Sequence, residues 1–359
     1  MKSKQVTLAD VARAAGVSPS TASEALAGRG RISQATRAAI REAALSLGYR
    51  PNALARGLRT GRTFSIGLHQ LAGSDRFAAQ YTREFAAGAI EVVHRADYDL
   101  TLLATDTRLP RARQPHVDGI IIADPIANDI RARELLESGI PVIAGEYYPL
   151  GMPSSPVIAV DHATAARGLL DHAYERGARR PLLVGPDGNS GWGTMLHAVY
   201  AAWCTERGLT AAYRAVDFMA GFAVDGVPRD ALEARPDADL LLVPGEALAL
   251  AALGALRERG LVPGRDVLVA SCCDATVLAH TSPSVTAIDL GPRKLGAACA
   301  TALLAHLTDG KPLVPLTLLP GTLRKRATTE HHLSRELALP FPAPSTRSIP
   351  EPTRPRHPP

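Results

Sequence analysis

Two short capped helices joined at a glycine, close to the N-terminus, constrain this chain more than any other feature of it. Thr7 reads as an N-cap with Asp10 three residues on, the helix over 8 to 15 turns Val11, Ala12 and Ala15 inward, and Gly16 supplies a left-handed stop. Ser18 then caps a second helix whose first position is Pro19, where the missing N–H costs nothing. Ala22 and Leu26 of that helix are expected to pack against the first, leaving the opposite face free to meet DNA. A third helix is predicted from Ser33, with Ile40, Ala44 and Leu47 on one face, ending at Gly48. The three together make one small core of the helix-turn-helix kind.

Charge agrees with that reading. Residues 1–62 hold 11 Lys and Arg against 3 Asp and Glu, a net of +8 in a chain whose total is +5. The remaining chain is therefore weakly acidic, and the basic excess is the footprint of a phosphate-binding module. A solvated basic tail is the competing explanation, but such tails do not carry paired helix caps and apolar periodicity. The segment from Pro51 to Gly61 is too short and too glycine-bearing to be a stable helix alone, so it is expected to fold only against a partner.

Beyond residue 62, apolar runs such as Leu100 to Ala104, Pro181 to Gly185, Leu240 to Val243 and Val267 to Ser271 alternate with amphipathic helical stretches. That alternation predicts a parallel-sheet α/β body, and its length exceeds one ordinary core, so two lobes are expected. After residue 330 the composition turns to Pro, Arg, Ser and Thr, which predicts a disordered tail, placed here at 327–359. The sequence begins with no signal-like apolar run and contains no uninterrupted membrane-spanning stretch, so the expected location is the cytoplasm, with no membrane partner. Cys204, Cys272, Cys273 and Cys299 lack metal-ligand spacing and read as core thiols; no metal and no cofactor is expected.

An enzyme would need a reactive constellation. The chain has no Gly-x-x-x-x-Gly-Lys loop, no Gly-x-Ser-x-Gly elbow and no His-Glu-x-x-His pair. Gly185 to Gly191 is glycine-rich without a phosphate-binding lysine and reads as a turn at a cleft mouth. The pairs Asp161-His162 and Asp171-His172 are adjacent in sequence, and adjacent helical residues do not face one another. A solute-binding protein of the exported kind would share the body but would not open on a helix-turn-helix.

Val6 to Ser18, Arg31 to Arg37 and Leu47 to Ala55 together resemble the first helix and turn, the third-helix entry and the hinge of the lactose-repressor family of bacterial transcription regulators. The likeness continues more weakly through Ile66-Gly67-Leu68, Val117 to Ile122 and Gly139 to Ile143, to about residue 326. It implies a helix-turn-helix domain over 1–50 and a hinge helix over 51–62. The N-terminal lobe would then span 63–161 and 289–326, and the C-terminal lobe 162–288, with crossovers near residues 161, 289 and 320. The body would resemble a periplasmic sugar-binding protein. Relatives with a C-terminal leucine heptad form tetramers; here Leu333, Leu337 and Leu339 run into proline, so a homodimer on a double-stranded DNA operator is expected.

The recognition helix should present Pro19, Ser20 and Glu24 to base edges, with Thr7, Ser18, Thr21, Ser23, Arg29 and Arg31 as further contacts near the backbone. The resemblance places arginine at the position of Glu24 and asparagine at that of Ala27, and both are replaced. A carboxylate cannot donate to guanine but accepts from a cytosine amino group, so the preferred half-site should differ from the family's; alternatively Glu24 pairs with Arg29 or Arg31. Leu58 matches the family's hinge leucine, which wedges into the minor groove while Asn52, Ala55, Arg56 and Arg59 line it; packing between the DNA-binding unit and the body is the other explanation.

The family's polar ligand anchors align with Leu196, Gly245 and Cys273, and all three are lost, although Glu246 and Asp274 stand beside two of them. A simple sugar needs several hydrogen-bonding side chains, so an effector that is larger and more apolar is expected. Arg76, Tyr81, Asp124, Tyr147, Tyr148, Trp192, Phe218 and Glu246 are the candidates to line its cleft, with Phe218 aligned on an aromatic that stacks on ligands in relatives. Interface packing or surface ion pairs would equally account for them. Control by a protein partner or by abundance, with no small ligand, is the alternative.

Overall fold

A computed structural model describes residues 6–26, 28, 30–49, 57, 60–70, 79–103, 114–186, 188–216, 226–331 and 333. The chain forms two units that divide between Phe64 and Ser65.

The first unit contains α1 (Leu8–Ala14), α2 (Pro19–Leu26) and α3 (Gln34–Ser46). The Thr7 hydroxyl accepts from the Asp10 amide while the Asp10 carboxylate accepts from the Thr7 amide at 3.0 Å, a reciprocal capping box. Gly16 then takes φ +66°, so the chain turns between α1 and α2 as its residue type predicts. Val11, Ala12, Ala22, Ala25, Ile40 and Ala44 close one core. Ala25, not only Leu26, fills the second helix's inner face. Leu47 was expected in this core but is 38 % exposed, and Tyr49 packs there in part instead. Leu47 is the C-cap residue of α3, after the last turn of the helix.

The second unit holds two sheets. The first comprises β1 (Ser65–Gln70), β2 (Asp99–Leu102), β3 (Gly119–Ala123), β4 (Val142–Gly145), β5 (Val157–Val160) and β11 (Leu316–Leu319), in the order β11-β5-β4-β3-β1-β2 and parallel throughout. The second comprises β6 (Pro181–Pro186), β7 (Ala212–Val216), β8 (Leu240–Val243), β9 (Leu268–Ser271), β10 (Thr286–Asp289) and β12 (Thr322–Arg324), ordered β12-β10-β9-β8-β6-β7. Its edge strand β12 runs antiparallel to β10, while the other strands of the sheet pair in parallel as expected. The unbroken apolar runs of β3 and β8 are buried along their whole length, as strands covered on both faces require.

Helices α4 (Gln80–Arg95), α5 (Ile130–Leu136) and α11 (Pro292–Asp309) serve the first lobe, and α6 (His162–Glu175), α7 (Gly191–Glu206), α8 (Val227–Ala234), α9 (Glu246–Glu258) and α10 (Thr276–Ala279) the second. The backbones of α4 and α11 touch where Gly88 meets the Arg293 carbonyl and Gly296 meets that of Phe85; a Cβ at either glycine would collide with main chain. The chain passes between the sheets after β5, after β10 and between β11 and β12.

The expectation of a disordered tail from residue 327 is corrected in its first residues. A 3-10 turn over Ala327–Thr329 buries Thr328 and Thr329 completely against the second lobe. Thr328 donates to the Val269 carbonyl at 2.7 Å, and the Thr329 hydroxyl lies 2.8 Å from His172 Nε2 and 2.7 Å from the Thr286 hydroxyl. The threonines are held by polar partners that a composition count does not see. Residues 334–359 lie outside the described residues.

Candidate DNA interface and interlobe cleft

In the helix-turn-helix unit, the inner face of α2 buries Ala22 and Ala25 completely, while Pro19, Ser20 and Glu24 on its outer face are exposed. Ser18 Oγ accepts from the Thr21 amide at 3.1 Å and lies within 2.8 Å of the Ser20 and Thr21 hydroxyls, gathering three hydroxyls at the helix N-terminus. Such an end combines unsatisfied N–H groups, a positive dipole and hydroxyl donors, a combination suited to phosphate. Thr7 is exposed, Ser23 half-buried and Arg31 exposed. Glu24 forms no ion pair with Arg31 among the described residues; its Oε2 lies beside Gly30, where an added Cβ would sit 2.6 Å away. Arg29, Asn52, Ala55, Arg56, Leu58 and Arg59 lie outside the described residues.

Thr7 hydrogen bonds, aided by Arg13, hold the Asp10 carboxyl down at about 2. A carboxyl depressed in the fold contributes stability above its ordinary 3.8 and loses it as pH falls through about 2. The helical signal of α1 should therefore survive at about pH 3 and decay only toward about pH 1, a titration that amide exchange over residues 8–14 reads directly. Thr7→Ala removes the cap and is expected to cost about 1 kcal/mol in a thermal melt.

In the two-lobed unit, the carboxyl ends of parallel strands carry the polar groups, where such sheets place ligands. Asp124 follows β3 and Glu146 follows β4, both at positive φ, +48° and +90°. Glu146 is buried, with Oε2 2.8 Å from His162 Nε2 and Oε1 accepting from the Tyr81 hydroxyl at 3.3 Å. Trp192, at the start of α7 in the other lobe, stands 6.0 Å from the His162 ring. Burial, then the charges of Glu146 and Asp124, push the Tyr81 phenol well above its usual range, so it stays a donor. Burial likewise raises the Cys273 thiol, with Glu246 and Asp274 adding to the effect. Tyr81, Asp124 and Glu146 of one lobe and Cys273, Glu246 and Asp274 of the other thus share one acidic neighbourhood.

Both sides of the cleft are tied directly. The Gln80 amide donates to Glu246 Oε1 at 3.2 Å, and Gln80 Oε1 accepts from the Thr276 amide at 2.7 Å. Opposite, the Ala127 amide donates to the Asn189 carbonyl at 2.8 Å, and Gly191 sits against the carbonyls of Tyr147 and Tyr148, where a side chain would not fit. Asp274 is already engaged, accepting both Arg326 Nη groups at 2.8 and 2.7 Å. Tyr148 gives its hydroxyl to a contact with Ser155 at 2.8 Å, and it and Tyr147 pack on the first lobe. Leu196 is buried within α7. Arg76 and Phe218 lie outside the described residues.

Sequence reading missed Glu146, His162 and Gln80. Glu146 is discoverable from its place after the strand Val142–Gly145, whereas the sequence pairs His162 only with Asp161, which cannot face it. Asp161 caps α6 by accepting from the Thr164 amide at 3.0 Å, and His162 turns instead to Glu146. A second buried pair, His69 Nε2 with Asp129 Oδ2 at 2.7 Å, lies between β1 and the N-cap of α5. All four cysteines are free thiols; Cys204, Cys272 and Cys299 are buried, and burial pushes Cys272 to about 12. Among the described residues there is no cluster of metal ligands, and no helix is long and apolar enough to cross a membrane.

A helix-turn-helix unit followed by two parallel-sheet lobes defines a DNA-binding transcription regulator with a sugar-binding-like body. Residues 7–52 match the model of bacterial regulatory proteins of the lacI family, and residues 170–329 that of a periplasmic binding protein-like domain. The chain thus carries a lacI-family DNA-binding domain and a periplasmic binding protein-like domain. It is 28 % identical over 333 residues to the HTH-type transcriptional regulator CelR of Thermobifida fusca, covering 89 % of this chain and 96 % of that one. It is 24 % identical to catabolite control protein A of Priestia megaterium, covering 90 % and 99 %. Among solved structures, the lac repressor dimer bound to operator and the anti-inducer ONPF superposes with a TM-score of 0.75 at 24 % identity, over 91 % of this chain and 99 % of that one. A CelR–cellobiose complex superposes at 0.65 and 23 %, over 90 % and 100 %. CelR is named as a transcriptional regulator, and the lac repressor is described as bound to operator.

Proposed function

We propose that the protein is a cytoplasmic, homodimeric repressor that binds a palindromic operator and acts by binding rather than by catalysis. The observation that carries this is the division of α2 into a wholly buried inner face and an exposed outer face bearing Pro19, Ser20 and Glu24. In this reading residues 1–50 are the DNA-binding domain and 51–62 the hinge, and Thr21, Ser23 and Arg31 hold phosphates while Glu24 reads a base. Arg29, Asn52, Ala55, Arg56, Leu58 and Arg59 complete the contacts.

The effector of this reading lies between the lobes and is not a simple sugar. Leu196, Gly245 and Cys273 supply no hydroxyl-binding side chain, and Asp274, which stands next to an anchor position, is occupied by Arg326. The cleft offers aromatic faces, Tyr81 and Trp192, beside the carboxylates of Asp124 and Glu246. It therefore suits a larger, aromatic-faced molecule that donates hydrogen bonds. Effector binding would act through its differential affinity for the DNA-competent arrangement.

A second reading, in which the effector is a disaccharide, is favoured by the similarity to CelR and the cellobiose in that protein's complex. Calorimetry with cellobiose decides between the two. No heat at millimolar sugar is expected, and micromolar binding would replace the first reading with the second. Selection of duplexes from a random pool near physiological salt tests the operator itself: a palindrome is expected, and the absence of any enriched sequence would contradict readout by α2.

A further inference from the structure

We propose that Arg37 is a positioning residue of the DNA interface: from α3 it fixes the C-terminus of α2 and the connection that follows, without contacting DNA. Arg37 Nη1 donates to the Ala25 carbonyl at 3.1 Å and Nη2 to the Gly30 carbonyl at 3.3 Å. Ala25 lies in the last turn of α2, a helix with no basic residue in its own last turn. The guanidinium therefore supplies, from a neighbouring helix, the positive charge and donors that a helix C-terminus requires. Its planar fork reaches two carbonyls at once, which an ammonium on a flexible stem does not reproduce.

Gly28 and Gly30 sit at φ +74° and +77°, conformations open to glycine at little cost, and the Gly28 amide donates to the Ala25 carbonyl at 3.2 Å, so Arg37 adds a second donor to an oxygen on which the chain already turns. Gly30 in turn is the surface on which the Glu24 carboxylate rests. Arg37 is half-buried, and its Nη groups are turned to main-chain oxygens. Losing the fork frees the end of the reading helix, the backing of Glu24 and the segment carrying Arg31 together. Base readout depends on geometry much more than phosphate attraction does, so discrimination should suffer before affinity for DNA in general.

This assignment rests on readout by α2, and salt dependence separates the two. With the full-length protein, affinity is measured for the duplex selected by the wild type and for an unrelated duplex, across a range of salt. Arg37→Met and Arg37→Lys are both expected to lose about tenfold in the ratio of the two affinities, the worth of a charge-assisted hydrogen bond or two. Both should retain the wild-type salt slope for the unrelated duplex and a folded circular dichroism spectrum. If Arg37 were a phosphate contact, Arg37→Met would weaken both duplexes alike and lower the salt slope by about one, and Arg37→Lys would restore it; that outcome overturns the assignment. Unchanged discrimination in Arg37→Met overturns it as well. A wild-type protein that favours no sequence would instead strike the readout by α2, and with it any role for Arg37 in discrimination.

Discussion

Replacing His162 with leucine is expected to destabilise the two-lobed unit by about 2–3 kcal/mol, the cost of leaving a buried carboxylate oxygen without its hydrogen-bond partner. Glu146 is almost fully enclosed, and its two oxygens are met by His162 at 2.8 Å and by the Tyr81 hydroxyl at 3.3 Å. Taking away the histidine strips the shorter of those contacts from a carboxylate that solvent cannot reach. The double variant His162→Leu, Glu146→Leu should recover most of the loss, because two apolar side chains of similar bulk carry no desolvation penalty. Denaturant midpoints of the wild type, the two single variants and the double variant close the cycle. A His162→Leu variant within about 1 kcal/mol of wild type would show that the pair is solvated in a way its burial does not suggest.

That pair also explains what the sequence withheld. The helix-turn-helix was legible because its signals are local: Thr7 with Asp10, Gly16, and Ser18 before Pro19 each act within four residues, and the structure realises each of them. The strands of the body were legible for a related reason, since the runs at Leu240–Val243 and Pro181–Pro186 are apolar without alternation, as doubly covered strands must be. The cleft was legible only in part. Tyr81 was singled out as one of few aromatics, but its partner Glu146 lies 65 residues away and His162 a further 16, and no local pattern joins them. Leu47 and the threonines at 328 and 329 also departed from expectation. At 328 and 329 tertiary hydrogen bonds outweighed what composition could say, and Leu47 stands at the C-cap of α3, where Tyr49 packs in part on the core that periodicity assigned to it. Gln80 shows the limit most plainly: its two hydrogen bonds reach residues 166 and 196 positions distant, and both depend on how the lobes meet.

Glu24→Ala is expected to remove the largest share of sequence discrimination that any single side chain of α2 supplies. A carboxylate on the exposed face of a reading helix can only accept hydrogen bonds, and in the major groove the cytosine amino group is a fitting donor. A contact of that kind is worth about 1–3 kcal/mol of discrimination. The proposed homodimer would make it twice, so about 2–6 kcal/mol, from some thirtyfold to more than ten-thousandfold, would hang on this residue at two half-sites. The charge acts in the opposite direction on DNA at large, since a carboxylate near phosphates repels them, and Glu24→Ala should bind unrelated duplexes slightly more tightly. The two effects together narrow the gap from both ends. Glu24→Arg goes further, replacing an acceptor by a bidentate donor, and should select guanine where the wild type selects cytosine, with the rest of the half-site unchanged. Selection from a random pool at one fixed salt concentration compares the three proteins directly. If all three recover the same half-site, Glu24 does not read a base, and its place against Gly30 is a packing contact of the connection between α2 and α3.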